Sequence, residues 1–140
     1  GQSIRFAEDD VREMGRTAGG VRAIKLGKKD GVIGADVVTD EKAALLTLGA
    51  NGIGKKTLLS EYKIQGRGGS GIKTAKITPK TGELMVAMIV HNDTELVAMS
   101  KKGQVIRVDL NTVPSSGRDT QGVTIMKLRP GDSLASVTCL

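Results

Sequence analysis

Apolar residues in this chain fall in short runs that are separated by turn-forming residues. Residues 32–38 and 84–90 are nearly continuous apolar runs of strand length, typical of strands that are buried on both faces. Each is followed by a polar turn (His91-Asn92-Asp93 in the second case) and then by a further run, at 43–48 and 94–99. No segment has a sustained helical period with capping residues, so the pattern predicts an all-β chain.

Glycine turns mark the next strands. Asn51-Gly52 and Lys102-Gly103 are tight-turn signals that lead into a third strand, typified by residues 4–6 and 106–108. After a loop of about a dozen residues, a fourth strand is predicted at 21–26, 72–77 and 123–128.

These segments recur at a period of 51 residues. When Gly1, Gly52 and Gly103 are aligned without a gap, three further features coincide: a Gly-Arg pair at 15/16, 66/67 and 117/118, a glycine at 20, 71 and 122, and a lysine at 25, 76 and 127. The repeats are 1–51, 52–102 and an incomplete 103–140. We therefore expect residues 1–140 to form one all-β repeat domain that is part of a longer array.

Two architectures fit such a repeat. Four strands in about 50 residues is the size of a propeller blade, although three blades are fewer than the usual four to eight or so. A β-trefoil also has three four-stranded repeats, but its closure requires three whole ones. A propeller-like array that continues beyond three repeats is the preferred prediction, with the trefoil as the alternative.

Charge indicates the class of partner. Lys and Arg total 21 against 15 acidic residues, which gives a net charge of +6 and favours a polyanion. Phe6 and Tyr62 are the sole aromatic residues, which predicts an aliphatic core and argues against stacking of single-stranded bases. The single Cys139 permits no internal disulfide, and no apolar stretch is long enough to span a membrane, so we expect a cytoplasmic protein.

Basic residues occupy the same position in successive repeats. A row of Lys and Arg at regular intervals can follow a DNA backbone and release its counterions, while neighbouring glycine amides add donors. Strand-edge charges that deter aggregation are the structural alternative. The positions basic in every repeat are Arg5/Lys56/Arg107, Arg16/Arg67/Arg118 and Lys25/Lys76/Lys127, and those basic in two are Arg12/Lys63 and Arg22/Lys73.

The second repeat carries a recognisable motif. Residues Gln65, Gly66, Arg67, Gly68, Gly69, Ser70 and Gly71 resemble the Gln-Arg-Arg-Gly-Gly-Lys-Gly box of the C-terminal domain of DNA gyrase A. The other repeats (GQSIRF, GRTAGGVRAIKL, GQVIRV and GRDTQGVTIMKL) resemble further blades of that domain and of its topoisomerase IV relative. The departures are Gly66 in place of Arg, Ser70 in place of Lys, and a box in the second repeat of this chain rather than in the first blade.

The resemblance implies a β-pinwheel, a propeller-like disc of five or six blades whose basic rim binds and bends duplex DNA. In gyrase that rim wraps the DNA segment that is passed through the break. The implied partners are double-stranded DNA and the remaining domains or subunits of a bacterial type IIA topoisomerase, with self-association as one way to complete the disc. The domain itself is expected to be non-catalytic, whether its parent is a gyrase or a topoisomerase IV.

The residues that suggest catalysis have simpler interpretations. Tyr62 aligns with Val11 and Val113, so we expect it to pack in the core. His91 is the single histidine and Cys139 the single cysteine, so no metal site or cofactor is predicted. The alternative function is a propeller or trefoil scaffold that recognises a protein or a sulfated glycan.

Overall fold

The strands of this chain form three antiparallel sheets. A computed structural model describes residues 1–91 and 94–140, so Asn92 and Asp93 of the predicted polar turn lie outside the described residues. Within that part of the chain there is no α-helix, and three 3-10 turns cover Glu8–Asp10, Leu59–Glu61 and Leu110–Thr112. The strands are β1 (Gln2–Ser3), β2 (Ala44–Gly49), β3 (Ile53–Leu58), β4 (Ile72–Lys73), β5 (Leu84–Val90), β6 (Glu95–Ser100), β7 (Val105–Asp109), β8 (Val123–Thr124) and β9 (Leu134–Cys139).

Each sheet combines strands from neighbouring repeats. The largest has the order β5-β2-β3-β8, the next has the order β7-β6-β9, and β1 pairs with β4. The pairing recurs at the sequence period: Gln2 lies opposite Lys73 in one sheet, and Ile53 lies opposite Thr124 in the next. A propeller-like blade in this chain is therefore built from adjacent repeats, so every blade also ties two repeats together.

Several predicted strands are confirmed to within a residue or two. The predictions at 43–48, 84–90, 94–99 and 106–108 correspond to β2, β5, β6 and β7. The fourth strands were predicted too long, because β4 and β8 have two residues each, and no strand forms at 21–26.

The prediction of a strand at 32–38 in the first repeat is wrong for the described structure. Its counterpart β5 pairs with β2, whereas residues 32–38 pair with no strand among the described residues. Without ladder hydrogen bonds the segment stays irregular, and Val32 and Val37 are 64% and 68% exposed. Residues 4–6 are likewise irregular, since the strand there is limited to Gln2–Ser3.

The core is aliphatic, as the composition predicts. Leu46 and Leu48 of β2 and Leu96 of β6 are fully buried and pack with Met126 and Leu134 in one cluster. A second cluster contains Ala43, Leu59 and Tyr62.

The predicted core position of Tyr62 is confirmed. The ring is 5% exposed and its hydroxyl lies 2.5 Å from Thr74 Oγ1. Burial raises the pKa of the Tyr62 hydroxyl above its ordinary value. The side chain therefore serves packing, in line with its valine counterparts.

Candidate nucleic-acid interface

The Gly-Arg loop of each later repeat is held against the repeat before it. At the first junction, the Gly68 amide donates to the Ala23 carbonyl at 2.7 Å and the Lys25 amide donates to the Gly69 carbonyl at 2.8 Å. At the second junction, the Lys76 amide donates to the Thr120 carbonyl at 3.0 Å. Lys25 and Lys76 therefore have their backbones fixed beside the loop that carries the next arginine.

A glycine with positive φ allows each loop to approach so closely. Gly71 has a φ of +76° and Gly122 a φ of +88°. A Cβ atom at Gly71 would overlap the Ser3 carbonyl oxygen, and one at Gly122 would overlap the Gly54 carbonyl oxygen. The repeated glycine at these two positions is thus explained by close backbone contact across the junction.

The first junction collects three of the predicted basic residues. Arg67 donates from Nε to the Asp10 carbonyl at 2.9 Å and from Nη1 to the Arg22 carbonyl at 3.1 Å. The side chain of Arg67 remains exposed, as do those of Arg22 and Lys25. Three positive charges therefore meet at one exposed seam between the first and second repeats.

The second junction repeats this arrangement. Arg118 donates from Nη1 to the Lys73 carbonyl at 3.1 Å, and the exposed Lys76 lies three residues beyond the end of β4. The Lys73 ammonium also lies 3.5 Å from an Asp119 carboxylate oxygen. Asp119 corresponds to Gly68 in the preceding repeat, so this ion pair has no counterpart at the first junction.

The structure corrects the prediction for Lys56 in one of the predicted DNA-binding columns. Lys56 is only 4% exposed and donates to the Leu110 carbonyl at 2.6 Å. The equivalent Arg5 donates to the Leu59 carbonyl at 3.2 Å and pairs with Glu41. These side chains stabilise the contact with the next repeat, so Lys56 cannot reach a phosphate as it lies.

Arg107, the third member of that column, is exposed and pairs with Glu95, with Nε at 2.7 Å from the carboxylate. Apart from Arg67, Lys73 and Arg118, the other predicted residues are exposed and have no side-chain hydrogen bond or ion pair within the described part of the chain. They are Arg12, Arg16, Arg22, Lys25, Lys63, Lys76 and Lys127.

The box-like segment forms the loop of the first junction. The Gln65 amide donates to the Arg5 carbonyl at 2.7 Å, which anchors the start of the loop. Gly66 and Ser70 are exposed, and a Cβ atom at Gly66 would meet nothing within 4 Å. The two positions that depart from the gyrase box are therefore at the surface, where they affect what the loop presents rather than how it folds.

Sequence reasoning missed Lys55. The residue is fully buried, and its ammonium donates to the carbonyls of Gly117 and Arg118 and to Thr120 Oγ1, the last two at 2.6 and 2.9 Å. Its counterparts are Ile4 and Ile106. A lysine at a repeat position that is otherwise isoleucine is the signal that could have indicated a buried hydrogen-bond partner for Lys55.

Two other kinds of feature are absent from the described residues. No group of three or more His, Cys, Asp or Glu side chains among them could hold a metal ion. No helix in the described part of the chain has the length and hydropathy to cross a membrane.

Comparison with known proteins decides the family. The family model described as "DNA gyrase C-terminal domain, beta-propeller" matches residues 1–39, 43–92 and 94–140. The chain belongs to this family. The propeller-like prediction is thus confirmed over the trefoil, and so is the resemblance of the box and the surrounding repeats.

Relatives of this gyrase-family chain include larger proteins. It is 41% identical over 135 residues to the DNA gyrase A protein of Staphylococcus epidermidis, which covers 96% of this chain and 15% of that protein. It is 41% identical over 139 residues to the DNA gyrase A protein of Mycolicibacterium smegmatis, covering 98% of the chain and 16% of that protein. The chain therefore spans about a sixth of the length of the curated relatives it matches.

Solved structures agree with the fold. The chain superimposes on a structure of a DNA gyrase A C-terminal domain with a TM-score of 0.90 and 30% identity, covering 99% of this chain and 47% of that one. A DNA topoisomerase IV C-terminal domain gives a TM-score of 0.92 at 17% identity, covering 100% of this chain and 44% of that one, which supports the fold alone.

Proposed function

We propose that this chain binds duplex DNA along the two repeat junctions, as part of the accessory C-terminal domain of a bacterial type IIA topoisomerase of the gyrase A type. The observation that carries the proposal is the recurrence of a basic cluster at both junctions, although in the second cluster Arg118 is half-buried and Lys73 is paired with Asp119. Arg22, Lys25 and Arg67 form the first cluster, and Lys73, Lys76 and Arg118 form the second.

The clusters suit a phosphate backbone for electrostatic reasons. Duplex DNA is a regular polyanion, and each Lys or Arg that neutralises a phosphate releases condensed counterions. The guanidinium groups of Arg67 and Arg118 each use part of their donor capacity on backbone carbonyls, which fixes their position. Their remaining N–H groups are available for a phosphate, since an arginine has five donors.

Binding of this kind is independent of base sequence. The described residues contain no α-helix that could enter a major groove and read base edges. Any preference would come from the energy needed to bend the DNA along the array. We propose bending rather than full wrapping as the activity of this chain, because Gly66 and Ser70 provide no charge where the gyrase box has Arg and Lys.

We also propose that this chain acts within a larger topoisomerase. The three repeats serve as a segment of a longer array, without catalytic activity or a cofactor, and work with the remaining domains of a topoisomerase in the bacterial cytoplasm. Supporting this are the family membership and the length of the gyrase A relatives, of which the chain covers 15% and 16%.

The test is a salt titration of binding to a duplex of about 40 base pairs, in which several phosphate contacts give a steep log–log slope. The test variant combines Lys25→Glu, Lys76→Glu and Lys127→Glu, because these exposed lysines have no side-chain partner to lose among the described residues. We expect its affinity to fall by about a hundredfold or more and its slope to decrease by roughly 0.9 per lost contact.

The matched control combines Lys42→Glu, Lys80→Glu and Lys101→Glu, which changes the net charge equally at exposed lysines outside the predicted columns. We expect the affinity of this control for the duplex to fall by no more than about tenfold, because its three substitutions weaken only the overall electrostatic attraction to DNA. Equal losses in the two triple variants would refute a localised interface. Heparin that outcompetes DNA at equal charge would instead favour a glycan-binding scaffold.

A further inference from the structure

A buried lysine holds the Gly-Arg loop of the third repeat from inside the protein. Lys55 lies on β3 of the second repeat, and its ammonium donates to the carbonyls of Gly117 and Arg118 and to Thr120 Oγ1. A buried ammonium needs such acceptors because it has lost its water. The Lys55 side chain therefore fixes the two peptide groups that flank Arg118.

The segment that leads into this loop is attached to the same strand. Thr57, which is also fully buried, donates from Oγ1 to the Ser116 carbonyl at 2.9 Å. The Ser116 amide donates to the Lys56 carbonyl at 2.8 Å, and the Lys56 amide donates to the Pro114 carbonyl at 3.2 Å. Three consecutive residues of β3 thus hold the loop through both backbone and side-chain hydrogen bonds.

The loop arginine extends from this fixed backbone to the surface of the second junction. Arg118 is half-buried, and its Nη1 donates to the Lys73 carbonyl at 3.1 Å. Lys55 is fully buried, so its own charge cannot contact a DNA phosphate. Among the three residues that the Lys55 ammonium contacts, Arg118 is the one that belongs to a basic cluster.

The corresponding loop of the first junction lacks these side-chain donors. The counterparts of the two β3 donors are Ile4 and Phe6, whose side chains have no polar atom. Arg67 donates to two carbonyls of the preceding repeat, whereas Arg118 donates to one among the described residues. The guanidinium of Arg67 is therefore positioned by its own contacts, and that of Arg118 depends on the backbone that β3 holds.

We propose that Lys55, together with Thr57, is a positioning residue for DNA binding, which holds the loop so that Arg118 is placed for a phosphate before DNA binds. This inference rests on the proposed function, because it takes a duplex phosphate as the ligand of Arg118. A loop that becomes ordered only on binding reduces affinity, and a loop that is ordered beforehand avoids that loss. Lys55 thus contributes to DNA affinity without touching DNA.

The test is a double-mutant cycle on the affinity for duplex DNA. Lys55→Ile is made in the parent chain and in the Arg118→Ala and Arg67→Ala variants, because isoleucine occupies this position in the other two repeats. We expect Lys55→Ile to weaken binding by about three- to tenfold in the parent and Arg67→Ala backgrounds. In the Arg118→Ala background the positioned group is gone, so we expect a change of less than about twofold.

Lys42→Ile is the matched control, because it removes one positive charge at an exposed position outside the clusters. We expect it to change the duplex affinity by less than about twofold in every background. If Lys55→Ile does not fold, the same cycle is run with Thr57→Val, which removes one hydroxyl donor from the loop and nearly keeps the side-chain shape.

Hydrogen exchange in the absence of DNA tests the loop separately. Lys55→Ile is expected to speed exchange severalfold at the Ser116 amide and at the Lys76 amide, which donates to the Thr120 carbonyl. The Lys25 amide, which donates to the Gly69 carbonyl at the first junction, is expected to exchange at an unchanged rate.

The outcomes separate this positioning role from the proposed function. Unchanged exchange in the loop, unchanged duplex affinity of the folded variant, or an equal loss of affinity in the Arg118→Ala background would overturn the positioning role and leave the proposed DNA binding intact. A parent chain that does not bind duplex DNA would overturn both.

Discussion

Lys55 shows how one buried charge can fix a loop in the neighbouring repeat. Its ammonium group is surrounded by two carbonyl oxygens and a threonine hydroxyl of residues 117–120. Burial lowers the pKa of Lys55, while the carboxylates of Glu61 and Asp119 act in the opposite direction. Three oxygen atoms replace water around the ammonium group, as a buried charge requires.

Replacing Lys55 by methionine removes the ammonium donor from three part-buried acceptors, of which the Gly117 carbonyl keeps a hydrogen bond from Thr120 Oγ1. We expect Lys55→Met to lower the free energy of unfolding by about 2 kcal/mol, the range for losing charged hydrogen bonds. Urea denaturation measures the change. Lys42→Met, at an exposed position, is the control and is expected to stay within about 0.5 kcal/mol of the parent chain. Equal urea midpoints for Lys55→Met and the parent chain would show that these hydrogen bonds make no net contribution to the free energy of unfolding.

Cys139 gives a prediction about pH. Burial raises the pKa of the Cys139 thiol, which packs against Met88 with its sulfur 3.3 Å from the thioether. The native thiol is therefore less ionised than an unfolded one at mildly alkaline pH. Because the thiolate is the nucleophile, we expect iodoacetamide to label the native chain several-fold more slowly than the chain in concentrated urea. The native rate is expected to rise with pH through a midpoint above that of an ordinary thiol, and equal rates in both states would contradict this.

Residue identity alone predicted some of these roles and not others. The valine counterparts of Tyr62 indicated a core position, and the ring is buried. Lys56 looked like a member of a DNA-binding column because Arg5 and Arg107 share its position. A basic residue repeats equally well when it binds a carbonyl of the next repeat, and the sequence does not distinguish a phosphate partner from a peptide carbonyl.

At the scale of strands and loops, the junction glycines decide whether neighbouring repeats pair. Gly71→Ala adds a methyl group at a φ of +76° where it would overlap the Ser3 carbonyl, so β1 and β4 must separate. We expect a loss of about 2 kcal/mol or more in the free energy of unfolding, because the strained backbone and the clash act together.

Gly66→Ala is the control for this substitution, since it lies in the same loop and its added methyl group meets nothing within 4 Å. Urea denaturation of the two variants side by side separates the effect of the contact from that of losing any loop glycine. A Gly71→Ala variant as stable as Gly66→Ala would mean that the loop can move away without cost.

Strand prediction succeeded where a hydrophobic run has its pairing partner within the chain. Apolar runs correspond to β2, β5 and β6, whose side chains pack in the core and whose backbones pair with strands of this chain. The run at 32–38 is also largely apolar, but it pairs with no strand among the described residues, and apolar character alone does not make a strand. The sequence also could not indicate that the short β4 and β8 pair with a neighbouring repeat.

At the scale of the whole molecule, the proposed DNA binding requires that the two basic junctions act on one duplex. They are related by the repeat, which turns each blade relative to the one before it as in propeller-like folds. We therefore expect a duplex that follows both clusters to bend. The bending energy is of the order of 1–6 kcal/mol for a site of this size, and it depends on DNA sequence.

DNA flexibility should therefore affect how tightly the chain binds. We expect end-labelled duplexes of about 40 base pairs to show increased energy transfer between their ends when the chain binds, because counterion release at both clusters offsets the bending energy. Duplexes with flexible TA steps at the centre are expected to bind several-fold more tightly than duplexes with a central A-tract of the same length. The triple variant with Lys42, Lys80 and Lys101 changed to Glu is expected to keep this preference, since those lysines lie outside the clusters. Unchanged energy transfer together with equal affinity for both duplexes would show that the two junctions do not engage one DNA molecule.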